Sequence, residues 1–222
     1  LLIRRIQSEG SNCLIVVIGE HDKITRKYFE KNPIYGVEIR FVVQTIPTDR
    51  SKPLGTSKAV QIALENNRDL QCHSIVVCNG DNMPPANSFS EIFKDPCAML
   101  AYDSSALNLP DDRVSAFAIV SVTEDGKLDE IIEKPNKELI PSFVQSDGVL
   151  RVSMNTFRMQ FNNLLKAVQN CPLSKRDEKE LPIAIGIWNK KNPNQITAIP
   201  FSGEFLDLTH PSDFEFVLNK LQ

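Results

Sequence analysis

Residues 13–18, Cys-Leu-Ile-Val-Val-Ile, form an unbroken apolar run rich in β-branched side chains. A strand with no polar face must be covered on both sides, as strands inside a helix-wrapped sheet are. The pattern returns at 74–78, Ser-Ile-Val-Val-Cys, and a third strand is predicted over 97–102. The segments between these runs change period. Residues 21–31 read as a helix ended by Asn32-Pro33, and 37–43 as another strand. Residues 56–67 place Ala59, Val60, Ala63 and Leu64 on one helical face, and Leu2, Ile3 and Ile6 do the same before Gly10. Strand and helix in alternation, with short connectors, predict a largely parallel sheet.

The second half breaks the alternation. A polar loop at 107–113 leads into a predicted hairpin, 114–123 and 127–133, that turns at Asp125-Gly126. A strand over 149–157, a helix over 160–169 and a helix over 178–188 follow. Residues 195–200 read as extended, and 211–221 as a helix with Pro211 in its first turn. The expected fold class is α/β. It is a Rossmann-like mixed, mostly parallel sheet flanked by helices on both faces, with an antiparallel hairpin portion in the second half. A chain of 222 residues fits a single domain, 1–222.

Charge and cysteine usage narrow the function. The balance of 25 Lys and Arg against 28 Asp and Glu, a net charge of −3, gives no cationic footprint for nucleic acid. The apolar run at 14–18 is far too short to cross a bilayer. The 5 cysteines include no Cys-x-x-Cys pair, and none of His21, His73 and His210 stands at metal-ligand spacing from one. Zinc and disulfide frameworks are disfavoured, and reduced cysteines in the core of a cytoplasmic protein are expected. No G-x-G-x-x-G, G-x-x-x-x-G-K-[ST] or G-x-S-x-G occurs, which removes the main support for dinucleotide, P-loop and serine-hydrolase chemistry.

Four segments could carry chemistry. In Asn79-Gly80-Asp81-Asn82 an apolar strand delivers Asp81 to its carboxyl end, where open α/β sheets bind ligands. A carboxylate there can hold Mg²⁺, although the same four residues are good turn formers. Gln44 ends a strand, and Gly55-Thr56 opens a helix whose first N–H groups lack intrahelical partners. Glu133 and Lys134 are adjacent at a strand end, so they point to opposite faces. Glu133 could accept from sugar hydroxyls while Lys134 approaches a phosphate, and exposed charges are the plain alternative. Asp207 precedes the last helix and could be a second metal carboxylate, while Asp213 suits that helix's positive end.

In order and spacing these segments resemble the sugar-phosphate nucleotidylyltransferases, the nucleoside-diphosphate-sugar pyrophosphorylases. Gln44…Pro53-Leu-Gly55-Thr56, Asn79-Gly80-Asp81, Asp125-Gly…Glu133-Lys134-Pro135 and Phe205-Leu-Asp207 carry the likeness. Val152-Ser-Met-Asn155 and Glu178-Lys-Glu-Leu181-Pro182 also look like segments of this family. The resemblance implies that Gln44, Gly55, Thr56 and Gly80 bind a nucleoside triphosphate. Asp81 and Lys134 would be catalytic, and Asp81 and Asp207 would bind Mg²⁺. Glu133, Lys134, Asn155 and Ala118 would bind a sugar phosphate. Ala118 stands where the family has glycine, Phe205 where tryptophan is common, and Leu208-Thr209 where the family has a glycine-containing turn.

By the same resemblance, a first strand and an Arg-bearing, glycine-rich loop would precede the helix at residue 2, so the domain is expected to be truncated at its N-terminus. Residues 1–113 would form the nucleotide-binding half and 114–222 the sugar-phosphate-binding half. No nucleic-acid or membrane partner is expected, and a homo-oligomer is open. The alternatives are a non-catalytic regulatory subunit of this fold and a metal-dependent nucleotide-sugar glycosyltransferase, with Asp111-Asp112 as its acidic motif.

Overall fold

The computed structural model describes residues 1–209 and 213–220. Its strands are β1 (Cys13–Gly19), β2 (Glu38–Gln44), β3 (Ser74–Val77), β4 (Asn82–Met83), β5 (Ala98–Asp103) and β6 (Ala118–Val122). They continue with β7 (Leu128–Ile132), β8 (Arg151–Ser153), β9 (Phe157–Gln160), β10 (Thr197–Phe201) and β11 (Leu206–Asp207). The helices are α1 (Leu2–Ser8), α2 (Thr25–Lys31), α3 (Thr56–Glu65), α4 (Ser88–Ile92), α5 (Asp111–Val114), α6 (Phe161–Gln169), α7 (Leu181–Lys191) and α8 (Asp213–Lys220).

The fold is mixed α/β, but the sheet is not mostly parallel. A 7-stranded sheet runs β3-β9-β5-β8-β6-β7, and β10 joins β5 from outside that path. Only the β5–β10 pair in it is parallel; β3–β9, β5–β9, β5–β8, β6–β8 and β6–β7 are antiparallel. An apolar run announces burial on two faces and says nothing about strand direction. Here β9 returns between β3 and β5, so the two strands expected to be parallel neighbours are kept apart. The two halves of the chain therefore interleave in one sheet.

Strand β5 shows why that sheet is the core. Met99 and Ala101 pack on one face with side chains of α3, α6 and α7, such as Leu64, Leu164 and Ile185. Ala98, Leu100 and Tyr102 pack on the other with Ile92 of α4 and Phe205. Helices cover both faces, as the two-sided apolar run requires.

Strands β1 and β2 form a separate parallel pair, in register from Cys13 opposite Glu38 to Gly19 opposite Gln44. Within β1 only Ile18 is buried, and β3 is half-buried throughout, against the expected two-sided cover. The unpaired edges of β1 and β3 line one cleft of about 1510 Å³, together with parts of α1, α2 and α3.

Several boundaries also move. Helix α2 starts at Thr25, where the Asp22 carboxylate accepts from the N–H groups of Ile24 and Thr25. The predicted strand 149–157 splits into β8 and β9 at Asn155, whose φ of +58° reverses the backbone. Helix α7 begins at Leu181 rather than at residue 178, and the polar loop expected at 107–113 passes into α5 with Leu107 fully buried. Pro211 lies outside the described residues. Cys171 is buried but Cys72 is exposed, so the thiols are not uniformly core residues. No described helix is long and apolar enough to cross a membrane.

Candidate functional site

Two polar networks form at the carboxyl ends of β2, β3 and β7. The first starts in the turn after β3. Asn79 Nδ2 donates to Asn82 Oδ1 at 3.0 Å, and Asn82 Nδ2 donates to Asp207 Oδ1 at 3.0 Å. The β4–β11 ladder pairs Asn82 with Asp207, and the Leu208 N–H donates to the Asp81 carbonyl, which brings Asp81 and Asp207 together. Asp81 is solvent-accessible, yet the surrounding protein and then the negative charge of Asp207 raise its carboxyl above the ordinary range. Asp207 is buried and well bonded. Its Oδ1 also accepts from the Thr209 N–H and hydroxyl, and its Oδ2 lies 3.2 Å from Arg113 Nη2. Arg113 also makes a bidentate pair with Asp213, at 3.1 and 2.8 Å.

Asn155 closes this network from the far side. Its Nδ2 donates to Asn79 Oδ1 at 3.3 Å, while its own Oδ1 is buried without a hydrogen-bond partner among the described residues. A left-handed asparagine with an unmatched acceptor beside the Asp81 turn marks a place built to meet something else.

The second network begins at Gln44, whose Nε2 donates to the Gly55 carbonyl at 3.1 Å. Gly55 has a φ of +99°, and a Cβ there would meet the Lys179 carbonyl oxygen at 2.8 Å, so only glycine fits. The segment before α7 is strapped to this loop. Lys179 N–H donates to Leu54 O, Ser57 N–H to Lys179 O, and Leu181 N–H to Thr56 Oγ1. The next residue, Glu180, has its carboxylate 3.7 Å from Lys134 Nζ and 3.2 Å from Arg176 Nη1. Lys134 Nζ also lies 3.7 Å from Glu133. Glu133 is largely buried, and desolvation, then the charge of Glu180, push its carboxyl up to about 7.

The structure thus groups Asp81, Asp207 and Asn155 in one network and Gln44, Gly55, Thr56, Glu133 and Lys134 in the other. Thr56 and Leu181 of the second line the same cleft as Asn79 and Gly80 of the first. Gly80 is exposed with open space around it, so it does not require glycine for contact reasons. Ala118 is buried in the core with Met99 and Ala101, because its place in β6 turns the methyl inward. Glu180 and Arg113 were not singled out by the sequence. Glu180 lies in the Glu178-Lys-Glu-Leu181-Pro182 segment, and the clue was an acidic residue heading a helix that begins Leu-Pro.

The acidic network is a candidate site for Mg²⁺. Such an ion takes one or two carboxylates and completes its shell with water and phosphate oxygens. Asp81 offers a carboxylate with no ion pair among the described residues, and its repulsion by Asp207 is what a cation would relieve. Among the described residues no cluster of three or more His, Cys, Asp and Glu could hold a metal by itself.

The fold is an α/β domain in which the turn leading to an acidic pair and a glycine-entered helix border the same cleft. The sequence pattern of the nucleotidyl transferase family matches residues 2–167, and the chain belongs to that family. The bifunctional protein GlmU of Methanococcus maripaludis strain C7 is 28% identical over 215 residues, covering 96% of this chain and 44% of that protein. The chain therefore spans less than half the length of the curated relatives it matches. Among solved structures, HddC from Yersinia pseudotuberculosis matches with a TM-score of 0.65 and 16% identity, over 100% of this chain and 84% of that one. A UDP-glucose pyrophosphorylase complexed with UDP-glucose matches with a TM-score of 0.70 and 15% identity, over 99% and 84%. At these identities the structural likeness shows the fold.

Proposed function

We propose that this domain joins a nucleoside triphosphate to a sugar 1-phosphate, giving a nucleotide sugar and pyrophosphate. The observation that carries the reading is an acidic network at the end of β3, whose turn residues Asn79 and Gly80 border one cleft with Thr56 of the Gly55 loop, together with the strap through Glu180 that ties the Glu133–Lys134 pair to that loop. Family membership and the GlmU and pyrophosphorylase likenesses support it. The reaction would run in the cytoplasm.

In this reading Gln44 and the Gly55 backbone hold the base. Gln44 keeps its side-chain carbonyl for a ligand because only its Nε2 is tied to Gly55. An oxygen of the sugar phosphate attacks the α-phosphorus, and the bond from that phosphorus to the pyrophosphate oxygen breaks. No protein nucleophile is needed, so positioning and charge neutralisation dominate. Lys134 faces the sugar phosphate, Glu133 accepts from its hydroxyls, and Asn155 Oδ1 takes a further hydroxyl. Asp81, with Asp207 behind it, would hold Mg²⁺, which neutralises phosphate charge when bound.

Asp81→Asn in the intact protein should lower nucleotidyl transfer about 100-fold or more, with the thermal unfolding midpoint unchanged or slightly raised. Pyrophosphorolysis of a nucleotide sugar at the parent rate by that variant would sink the assignment. Triphosphate release from nucleotide sugar and pyrophosphate also separates it from a glycosyltransferase. One observation favours a non-catalytic subunit: Arg113 already neutralises Asp207. That reading expects no Mn²⁺ binding, and a measurable Mn²⁺ isotherm that vanishes in Asp81→Asn rejects it.

A further inference from the structure

Glu180 occupies the N-cap position of α7 but makes no side-chain capping bond. Its carboxylate is instead turned into the protein, 9% exposed, between Lys134 and Arg176. A buried carboxylate gives up helix capping only when other partners compensate its desolvation. Both partners here are cations, and one of them is the lysine of the candidate site. Lys134 itself has a φ of +46° immediately before Pro135, a conformation that ordinary side chains avoid and that the following proline further disfavours. Something has to hold it, and the ion pairs to Glu133 and Glu180 are what the structure offers.

We infer that Glu180 is a positioning residue: its carboxylate holds Lys134 beside Glu133, and its backbone neighbours tie that pair to the Gly55 loop. The link to the loop is short and runs through hydrogen bonds on either side of Glu180. Lys179, one residue before Glu180, both accepts from Ser57 and donates to Leu54, and Leu181, one residue after, donates to Thr56 Oγ1. A displacement of the Gly55 loop on nucleotide binding is thereby passed to Glu180 and on to Lys134. The proposal rests on the sugar-phosphate reading of Glu133 and Lys134 only for its catalytic consequence, not for the coupling itself.

The charges facing Glu133 predict opposite effects for two substitutions. Lys134 faces it from its own loop, and Glu180, Arg176 and Glu178 face it from the segment entering α7. Glu178 is in turn paired with Lys52 from the connection between β2 and α3. Glu180 raises the Glu133 carboxyl and Arg176 lowers it. In the full chain, Glu180→Gln, which keeps the shape of the side chain, should move the Glu133 titration to lower pH, by about one pH unit. Arg176→Met, at a half-exposed side chain, should move it to higher pH.

The measurement is the ¹³C-carboxyl titration of Glu133 by NMR in both variants, which needs no turnover and reads folded protein directly. The acid limb of kcat/KM for glucose 1-phosphate should shift in the same two directions. A purely structural role for Glu180 changes the height of that profile without moving its limb. Shifts of the same sign in both variants, or none in either, overturn the proposal. Opposite shifts in the titration with an unmoved limb uphold Glu180's hold on Glu133 and overturn the sugar-phosphate reading. If glucose 1-phosphate is not turned over, the titration alone decides.

Discussion

Glu133 makes the site's electrostatics testable through stability as well as activity. Its folded-state carboxyl is raised from 4.5 to about 7, first by burial and then by Glu180. The unfolded chain ionises near the ordinary value, so it releases the proton at a pH where the folded state still holds it. Stability is therefore undiminished below about 4.5, falls as pH rises toward 7, and stays reduced above it. The gap corresponds to at most about 3 kcal/mol. Glu133→Gln removes the penalty, so its stability relative to the parent should rise by about 1–3 kcal/mol between pH 4 and pH 8. Urea unfolding at the two pH values measures this, and an equal difference at both would refute the buried, raised carboxyl. At this scale, the residues singled out by chemistry and spacing, Asp81, Gln44, Glu133, Lys134 and Asn155, fall within the two polar networks. Arg113 and Glu180 were not legible because each acts by meeting a residue far along the chain. Arg113 reaches Asp207 and Asp213, and Glu180 reaches Lys134. Ala118 misled in the opposite way, since a motif position says nothing about which face of β6 it occupies.

Elements were legible where period and composition agreed. The run at 97–102 became β5, buried on both faces, and the 160–169 helix became α6 with Phe161, Leu164 and Leu165 inward. The break between β8 and β9 was hidden, because Val152 to Phe157 reads as extended while Asn155 turns the backbone left-handed. Helix α7 was found but not its fit to β7. Gly186, in mid-helix, lies where a Cβ would stand 3.1 Å from Ile131 Cγ2 and 3.3 Å from Ile131 O. The glycine is there for close approach, at a helix-propensity cost of about 1 kcal/mol. Gly186→Val should push α7 off β7 and destabilise the protein by about 1–3 kcal/mol, despite removing that glycine. Because Glu180 heads the same helix, the variant should also disturb the Lys134 pair, visible as a changed Glu133 titration. A Gly186→Val protein as stable as the parent would mean that the helix and strand are not in this contact.

For the whole molecule the discrepancy that matters is burial. The run at 13–18 and the one at 74–78 have the composition of strands covered on both faces, and β5 meets that expectation while β1 and β3 do not. The reason lies between them. Among the described residues, strand β1 is paired with β2 alone and β3 with β9 alone, and the free edges of both border the cleft of about 1510 Å³. In a strand paired on one side, only part of the backbone amides finds a ladder partner, and the rest point to the open edge. Hydrogen exchange should therefore alternate along β1, with the amides bonded to β2 protected and the intervening ones exchanging about 100-fold faster. Strand β5, paired on both edges by β10 on one side and by β8 and β9 on the other, should be protected at nearly every position. Uniform slow exchange along β1 in the 222-residue chain would contradict the open edge. The same experiment reads occupation of the cleft: an added ligand or peptide that slows the unpaired amides of β1 and β3 together, with β5 unchanged, covers both edges. A ligand confined to the Asp81 and Lys134 networks would leave those amides as they were.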